Sequence, residues 1–134
     1  MTCEGFLYAW GENDINQVGN GSTSNESTPQ RVGILNVIQF SCGSSHVLAI
    51  VKGGDIYGWG SNSSGQLGVG NTSNQKTPTK ITSMSSQIVQ VCCGGLYSMA
   101  LSMDGSLFCW GDNQFGQLGI GNTSNVFVPT KVDG

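Results

Sequence analysis

The sequence predicts an all-β protein of short antiparallel strands, repeated as a solenoid or propeller, and three observations carry that prediction. First, one twenty-residue stretch occurs three times. Trp10–Pro29 reads WGENDINQVGNGSTSNESTP, Trp59–Pro78 reads WGSNSSGQLGVGNTSNQKTP, and Trp110–Pro129 reads WGDNQFGQLGIGNTSNVFVP. Ten of the twenty positions agree in all three copies, and the tryptophans recur after 49 and then 51 residues. A fixed period near that length marks units that bury their faces on one another. Second, short runs alternate apolar and polar residues, while no segment carries a helical stripe. Third, 21 glycines with many Asn, Ser and Thr residues suit a chain dense in tight turns.

Each period offers four strands. Phe6–Trp10, Asp55–Trp59 and Ser106–Trp110 follow a glycine and carry aromatic or β-branched residues. A glycine-rich loop comes next, followed by an extended piece leaving the proline at Arg31–Ile34, Lys80–Thr82 and Lys131–Val132. Proline should confine that piece to a strand start or an edge. Val37–Cys42 and Ile88–Cys93 alternate in polarity, and His46–Val51 and Tyr97–Ser102 follow after a glycine-containing turn. Gly53-Gly54 and Asp104-Gly105 then form two-residue hairpin turns back to the tryptophan strand. The chain reads as one repeat domain, 1–134, with repeats at about 5–53, 54–104 and a partial 105–134.

The loop has its own grammar. Gly11, Gly60 and Gly111 let the backbone turn away after a bulky tryptophan. Asn16, Gly65 and Gly116 share one position, and Asn tolerates a left-handed backbone best among non-glycine residues, so φ should be positive in all three. Val18, Leu67 and Leu118 should plug the loop into the core. The pairs Gly19/Gly21, Gly68/Gly70 and Gly119/Gly121 should allow close packing between neighbouring repeats.

Composition narrows the function classes. Only 10% of residues are charged, and five cations against eight anions leave a net charge of −3. The cations are scattered singly, so no basic patch speaks for nucleic acid. No apolar run approaches the roughly 20 residues of a membrane helix, and no signal peptide is read at the N-terminus. Five cysteines show no C-x-x-C spacing; Cys42 and Cys93 recur at one repeat position and are expected as small buried thiols. Reduced thiols point to an intracellular setting, cytoplasmic or nuclear. In that setting the five N-x-S/T sequons are turn chemistry.

No catalytic or cofactor constellation is visible. The Gly-x-Gly pairs lack the third glycine of a dinucleotide loop and the G-K-[ST] of a phosphate loop. His46 is the only histidine; it occupies the position of Tyr97, and no G-x-S-x-G elbow accompanies it, so a structural, hydrogen-bonded role is expected. Catalytic residues, cofactors and metal ligands are all read as none.

The ordered motif W-G-x-N-x-x-G-Q-L-G-x-G, then Pro, then C-G-x-x-x-x-x-A-L, resembles the regulator of chromosome condensation repeat family over essentially all 134 residues. The departures are Asn16 for glycine, Val18 for leucine, and a two-residue insertion near Ser83–Ser86. The resemblance implies a seven-bladed β-propeller of four-stranded antiparallel blades, of which about two and a half are present. Such an arc should expose apolar flanks and strand edges. Three arrangements would cover them: a longer propeller, copies that complete each other, or blades from another chain.

Two functional classes follow. One is a non-catalytic protein–protein interaction scaffold. The other, implied by the founding family member, is guanine-nucleotide exchange on a small GTPase, which would need a projecting wedge. The insertion at Ser83–Ser86 is too short for one. Comparing the copies singles out variable loop tips as candidate partner contacts: Asp14-Ile15, Ser63-Ser64 and Gln114-Phe115, with Phe115 as an aromatic anchor. Val126-Phe127-Val128 replaces Glu26-Ser27-Thr28 and Gln75-Lys76-Thr77, and reads as an apolar contact on a loop, made to another blade or to a partner.

Overall fold

The computed structural model describes residues 1–134 and contains strands and turns only. The strands are β1 (Tyr8–Gly11), β2 (Glu26–Arg31), β3 (Val37–Cys42), β4 (His46–Val51), β5 (Ile56–Gly60), β6 (Gln75–Lys80), β7 (Ile88–Cys93), β8 (Tyr97–Ser102), β9 (Leu107–Gly111) and β10 (Val126–Lys131). They form three antiparallel sheets: β1-β2, then β3-β4-β5-β6, then β7-β8-β9-β10. Two complete four-stranded blades therefore follow a two-stranded one. The repeats of the sequence and the blades are offset by two strands, so the incomplete sheet lies at the N-terminal end.

The outer strands depart from expectation. The piece expected to begin after each proline instead runs through it, because β2, β6 and β10 contain Pro29, Pro78 and Pro129. Each is the last strand of its sheet, and each pairing shifts register around the proline. Residues 76–78 and 127–129 are thus freed from the ladder, where a missing N–H does no harm.

The freed residues bond to the preceding blade. Gly21 N–H donates to Lys76 O at 3.0 Å, and Gly70 N–H donates to Phe127 O at 2.9 Å. This corrects the loop placement of Val126-Phe127-Val128, not the contact with another blade. They lie in β10, not on a loop; Phe127 packs on Gly65 and Val128 faces Gly70. Their apolar character serves contact with the blade before them, although Phe127 and Val128 remain about two-fifths exposed.

Two cores fill the gaps between sheets. Leu7, Val32, Ile34, Val37, Val47, Ala49 and Trp59 join the first sheet to the second. Leu48, Ile50, Ile56, Ile81, Ile88, Val91, Ala100 and Trp110 join the second to the third. Each buried indole lies across the loop of the preceding blade. A Cβ on Gly19 would clash with the Trp59 ring, 2.5 Å from its Cδ1, and one on Gly68 would sit 2.7 Å from Trp110 Nε1. The indole N–H groups donate to Gln17 O (3.2 Å) and Gln66 O (2.8 Å), so neither is left unpaired on burial. Trp10 has no preceding loop and is 61% exposed.

The same reasoning corrects the cysteines. Cys42 is exposed, whereas Cys93, at the equivalent position, is half-buried and bonded to Ser41 of β3. Nothing stands before Cys42 as β3 stands before Cys93. Cys109 is the buried thiol, and all five are unpaired.

Trp59→Ala and Trp110→Ala should each cost about 3–5 kcal/mol in urea unfolding, because each empties a fully packed site. Trp10→Ala should change stability by no more than about 0.5 kcal/mol, as an exposed position does. Equal losses at all three positions would overturn this placement.

Candidate functional site

The three Trp-to-Pro loops lie at the same end of successive sheets, and one buried asparagine organises each. Asn13, Asn62 and Asn113 are all 0% exposed. Their Oδ1 atoms accept the N–H of Val18, Leu67 and Leu118 at 3.0 Å. Their Nδ2 groups donate to backbone carbonyls across the loop, at Ser22 and Ser24, Asn71 and Ser73, and Asn122 and Ser124. Their own N–H groups donate to Asn25, Asn74 and Asn125 Oδ1. A loop whose carbonyls and amides are satisfied by one side chain keeps one shape without a sheet to hold it.

The second support is the glutamine of each copy. Gln17, Gln66 and Gln117 accept the N–H of Ile15, Ser64 and Phe115 through Oε1. The turn they close has positive φ at Asn16 (68°), Gly65 (78°) and Gly116 (74°), as the shared position predicted. Val18, Leu67 and Leu118 are fully buried beneath it.

On this scaffold the variable tips project outward. Asp14, Ser63, Gln114 and Phe115 are exposed, and Ile15 and Ser64 are half-buried. Phe115, at 83% exposure, is the most exposed large apolar side chain of the chain. Glu12, Asp14 and Asp112 add carboxylates at this end. Arg31, Lys80 and Lys131 lie at the far ends of the outer strands, where Lys80 pairs with Asp55 at 2.9 Å and Arg31 stacks on Phe6. The tips are brought to one end of the fold; Val126-Phe127-Val128 belongs to the blade junction instead.

A buried polar chain links the second and third sheets beneath the loops. His46 Nε2 lies 2.9 Å from Ser98 Oγ, and Ser98 Oγ–H donates to Gln66 O at 2.7 Å, which also accepts Trp110 Nε1–H. Since the serine proton points to Gln66, His46 must donate from Nε2, leaving Nδ1 as a bare, buried acceptor without a partner. The pair is no catalytic dyad: Ser98 is 0% exposed, its proton is engaged, and no carboxylate faces Nδ1. No three His, Cys, Asp or Glu side chains come together as a metal would need. The sequence reading placed His46 as structural but missed Ser98 and the asparagine keystones; the asparagines could have been found as polar positions identical in all copies.

These features define a class, a segment of β-propeller whose blades are stapled by tryptophan and glycine loops. The profile described as "Regulator of chromosome condensation (RCC1) repeat" matches residues 4–50, 53–101 and 104–134, and a second profile of that repeat matches 37–66 and 88–117. The chain belongs to the regulator of chromosome condensation repeat family.

Over 137 residues it is 43% identical to the human X-linked retinitis pigmentosa GTPase regulator, covering 98% of this chain and 13% of that protein. It is 36% identical to the Arabidopsis thaliana ultraviolet-B receptor UVR8 (99% and 31%). It is 33% identical to the human E3 ubiquitin-protein ligase HERC2 (100% and 3%). The chain thus spans under a third of these relatives' length. Among solved structures, human WBSCR16 superposes with a TM-score of 0.86 at 28% identity, covering 97% of this chain and 35% of that one. Saccharomyces cerevisiae Prp20p superposes at 0.90 and 21% identity (100% and 35%) and shares the fold.

Burial holds the His46 imidazole at about 4, down from 6.5. Between these values the unfolded chain takes a proton that the folded one refuses, so stability is fully present above pH 6.5 and falls as pH drops toward 4. The loss should reach about 3 kcal/mol across that window, and His46→Phe should flatten it in urea titrations at stepped pH. Asn62→Ala, which strands several loop groups, should cost about 3 kcal/mol, with loss of amide-exchange protection at Leu67.

Proposed function

We propose that this chain is a non-catalytic protein-interaction module, and that its partner is met at the loop end by Asp14, Ile15, Ser63, Ser64, Gln114 and Phe115. The observation that carries this reading is the contrast within each loop. Ten of twenty positions are repeated and supply the asparagine, glutamine and tryptophan framework, while the tips Asp14-Ile15, Ser63-Ser64 and Gln114-Phe115, which differ between copies, project outward. A rigid frame with variable tips loses little freedom on binding, and an exposed phenylalanine amid carboxylates suits a partner with an apolar pocket bordered by basic groups. Family resemblance alone does not assign a function, so the site carries the proposal.

A small GTPase is the partner class favoured by the relatives. Prp20p is described by its binding to Gsp1p and histones, and one similar protein is named a GTPase regulator. Nucleotide exchange is the second reading. Against it, the β6–β7 connection is only residues 81–87, Ile81 is buried in the core, and Met84 packs against it, so nothing projects there as a wedge. The five unpaired thiols fit a reducing, intracellular compartment.

Release of a fluorescent guanine nucleotide from purified small GTPases should stay at its uncatalysed rate when this chain is added; acceleration would overturn the non-catalytic reading. Phe115→Ala with Asp14→Lys should leave the melting temperature unchanged. The same pair should abolish adducts formed by a photocrosslinker at Gln114, whereas a crosslinker at Met103, 70% exposed on the opposite turn, should form none in either background.

A further inference from the structure

We propose that the Asn20–Gly21 step is a latent self-modification site, whose conversion to aspartate or isoaspartate releases the junction between the first two blades. The inference concerns the side of the first loop that faces the second blade, and it stands independently of the loop tips.

The chemistry belongs to the step itself. Gly21 nitrogen, once deprotonated, attacks Asn20 Cγ. A C–N bond forms, the Cγ–Nδ2 bond breaks, and Nδ2 leaves as ammonia carrying the proton. Water then opens the resulting succinimide at either carbonyl, which yields aspartate or an isoaspartate whose main chain runs through the side chain. Water is the sole co-reactant. A glycine after the asparagine eases ring closure, since no Cβ obstructs the approach. Asn20 is the one asparagine of this chain that glycine follows, and the other copies carry Val69 and Ile120 at its position. Asn20 is half-buried and Gly21 exposed, so water reaches the step.

The fold restrains every reacting group. Gly21 N–H carries the proton that must leave, and it donates to Lys76 O of β6 at 3.0 Å. A hydrogen bond to the protonated form makes that proton harder to remove. Asn20 Nδ2, the leaving group, donates to Glu26 Oε1 at 2.8 Å, and Asn20 Oδ1 accepts Ser22 N–H at 3.0 Å. One residue earlier, Gly19 is seated against the Trp59 ring. Ring closure therefore requires the loop to lift from the second blade.

The bond that restrains the reaction also joins the blades. Its counterpart at the second junction, Gly70 N–H to Phe127 O, follows Val69, which cannot react. Conversion weakens the first junction in two ways. Aspartate puts a carboxylate where an amide donated to Glu26, so a hydrogen bond becomes a like-charge contact. Isoaspartate adds a backbone atom between Gly19, seated on Trp59, and Gly21, bonded to Lys76, so the two contacts lose their common register. The step runs one way. A junction that opens often loses Asn20, and then opens more.

The test incubates the intact chain, folded and in urea, beside a synthetic peptide of residues 17–27. Mass spectrometry follows the replacement of the Asn20 amide by an acid, and hydrogen exchange reports the Gly21 amide. The peptide and the unfolded chain should convert at Asn20 ahead of Asn71 and Asn122. The folded chain should be slower by at least the exchange protection of Gly21, about tenfold or more, since both events need the bond to Lys76 broken. Glu26→Ala, a half-buried surface change that frees the leaving amide, should speed conversion in the folded chain about threefold. Asn20→Asp stands for the aspartyl product. It should cut Gly21 protection about tenfold and leave that of Val18, held inside the loop by Asn13, unchanged. Conversion of the folded chain at the peptide's rate, none on unfolding, or Glu26→Ala at the unaltered rate would overturn the proposal. Undiminished Gly21 protection in Asn20→Asp would overturn it too.

Discussion

The seating of one blade's tryptophan on the preceding blade's glycine loop is the contact on which the rest depends. Trp59 and Trp110 are fully buried only because Gly19 and Gly68 have no side chain to occupy the same space. The carbonyls that receive their indole N–H groups belong to Gln17 and Gln66, whose side chains shape the same loops. Loop shape and blade packing are therefore one interaction seen from two sides. A blade without a predecessor cannot bury its tryptophan, and Trp10 shows that consequence directly.

The polar interior follows from the same geometry. Stacking sheets face to face hides backbone groups at strand ends and loop bases that have no ladder partner. The chain meets them with short amide and hydroxyl side chains: Asn13, Asn62 and Asn113 within loops, Gln39 and Ser41 between leading strands, and His46 with Ser98 under the loops. His46 Nδ1, one of two buried side-chain acceptors left bare with Asn16 Oδ1, belongs to a ring whose charge burial disfavours, so stability and protonation are coupled there.

The outer strands show why local rules misplace a boundary. Proline argued for a strand beginning after Pro78, since proline cannot donate to a ladder. The observed register shift removes that demand, freeing residues 76–78 to reach the previous blade while strand pairing resumes at Thr79 and Lys80. A bulge is a property of two strands together and leaves no local signature. The same blindness placed Val126-Phe127-Val128 on a loop and buried Cys42: each judgement needed to know which blade stood next to the residue.

What the sequence alone determined lies within what repeats. Period, strand count, the positive φ at Asn16, Gly65 and Gly116, and the plugging role of Val18, Leu67 and Leu118 are demands that each unit makes separately, so three copies state them three times. Tertiary structure decided what depends on neighbours. Equivalent residues receive different environments because the first sheet has no blade before it: Trp10 against Trp59, Cys42 against Cys93, Phe40 against Val91. Burial in a stacked fold is a property of an interface, and an interface is written in two distant stretches of chain at once.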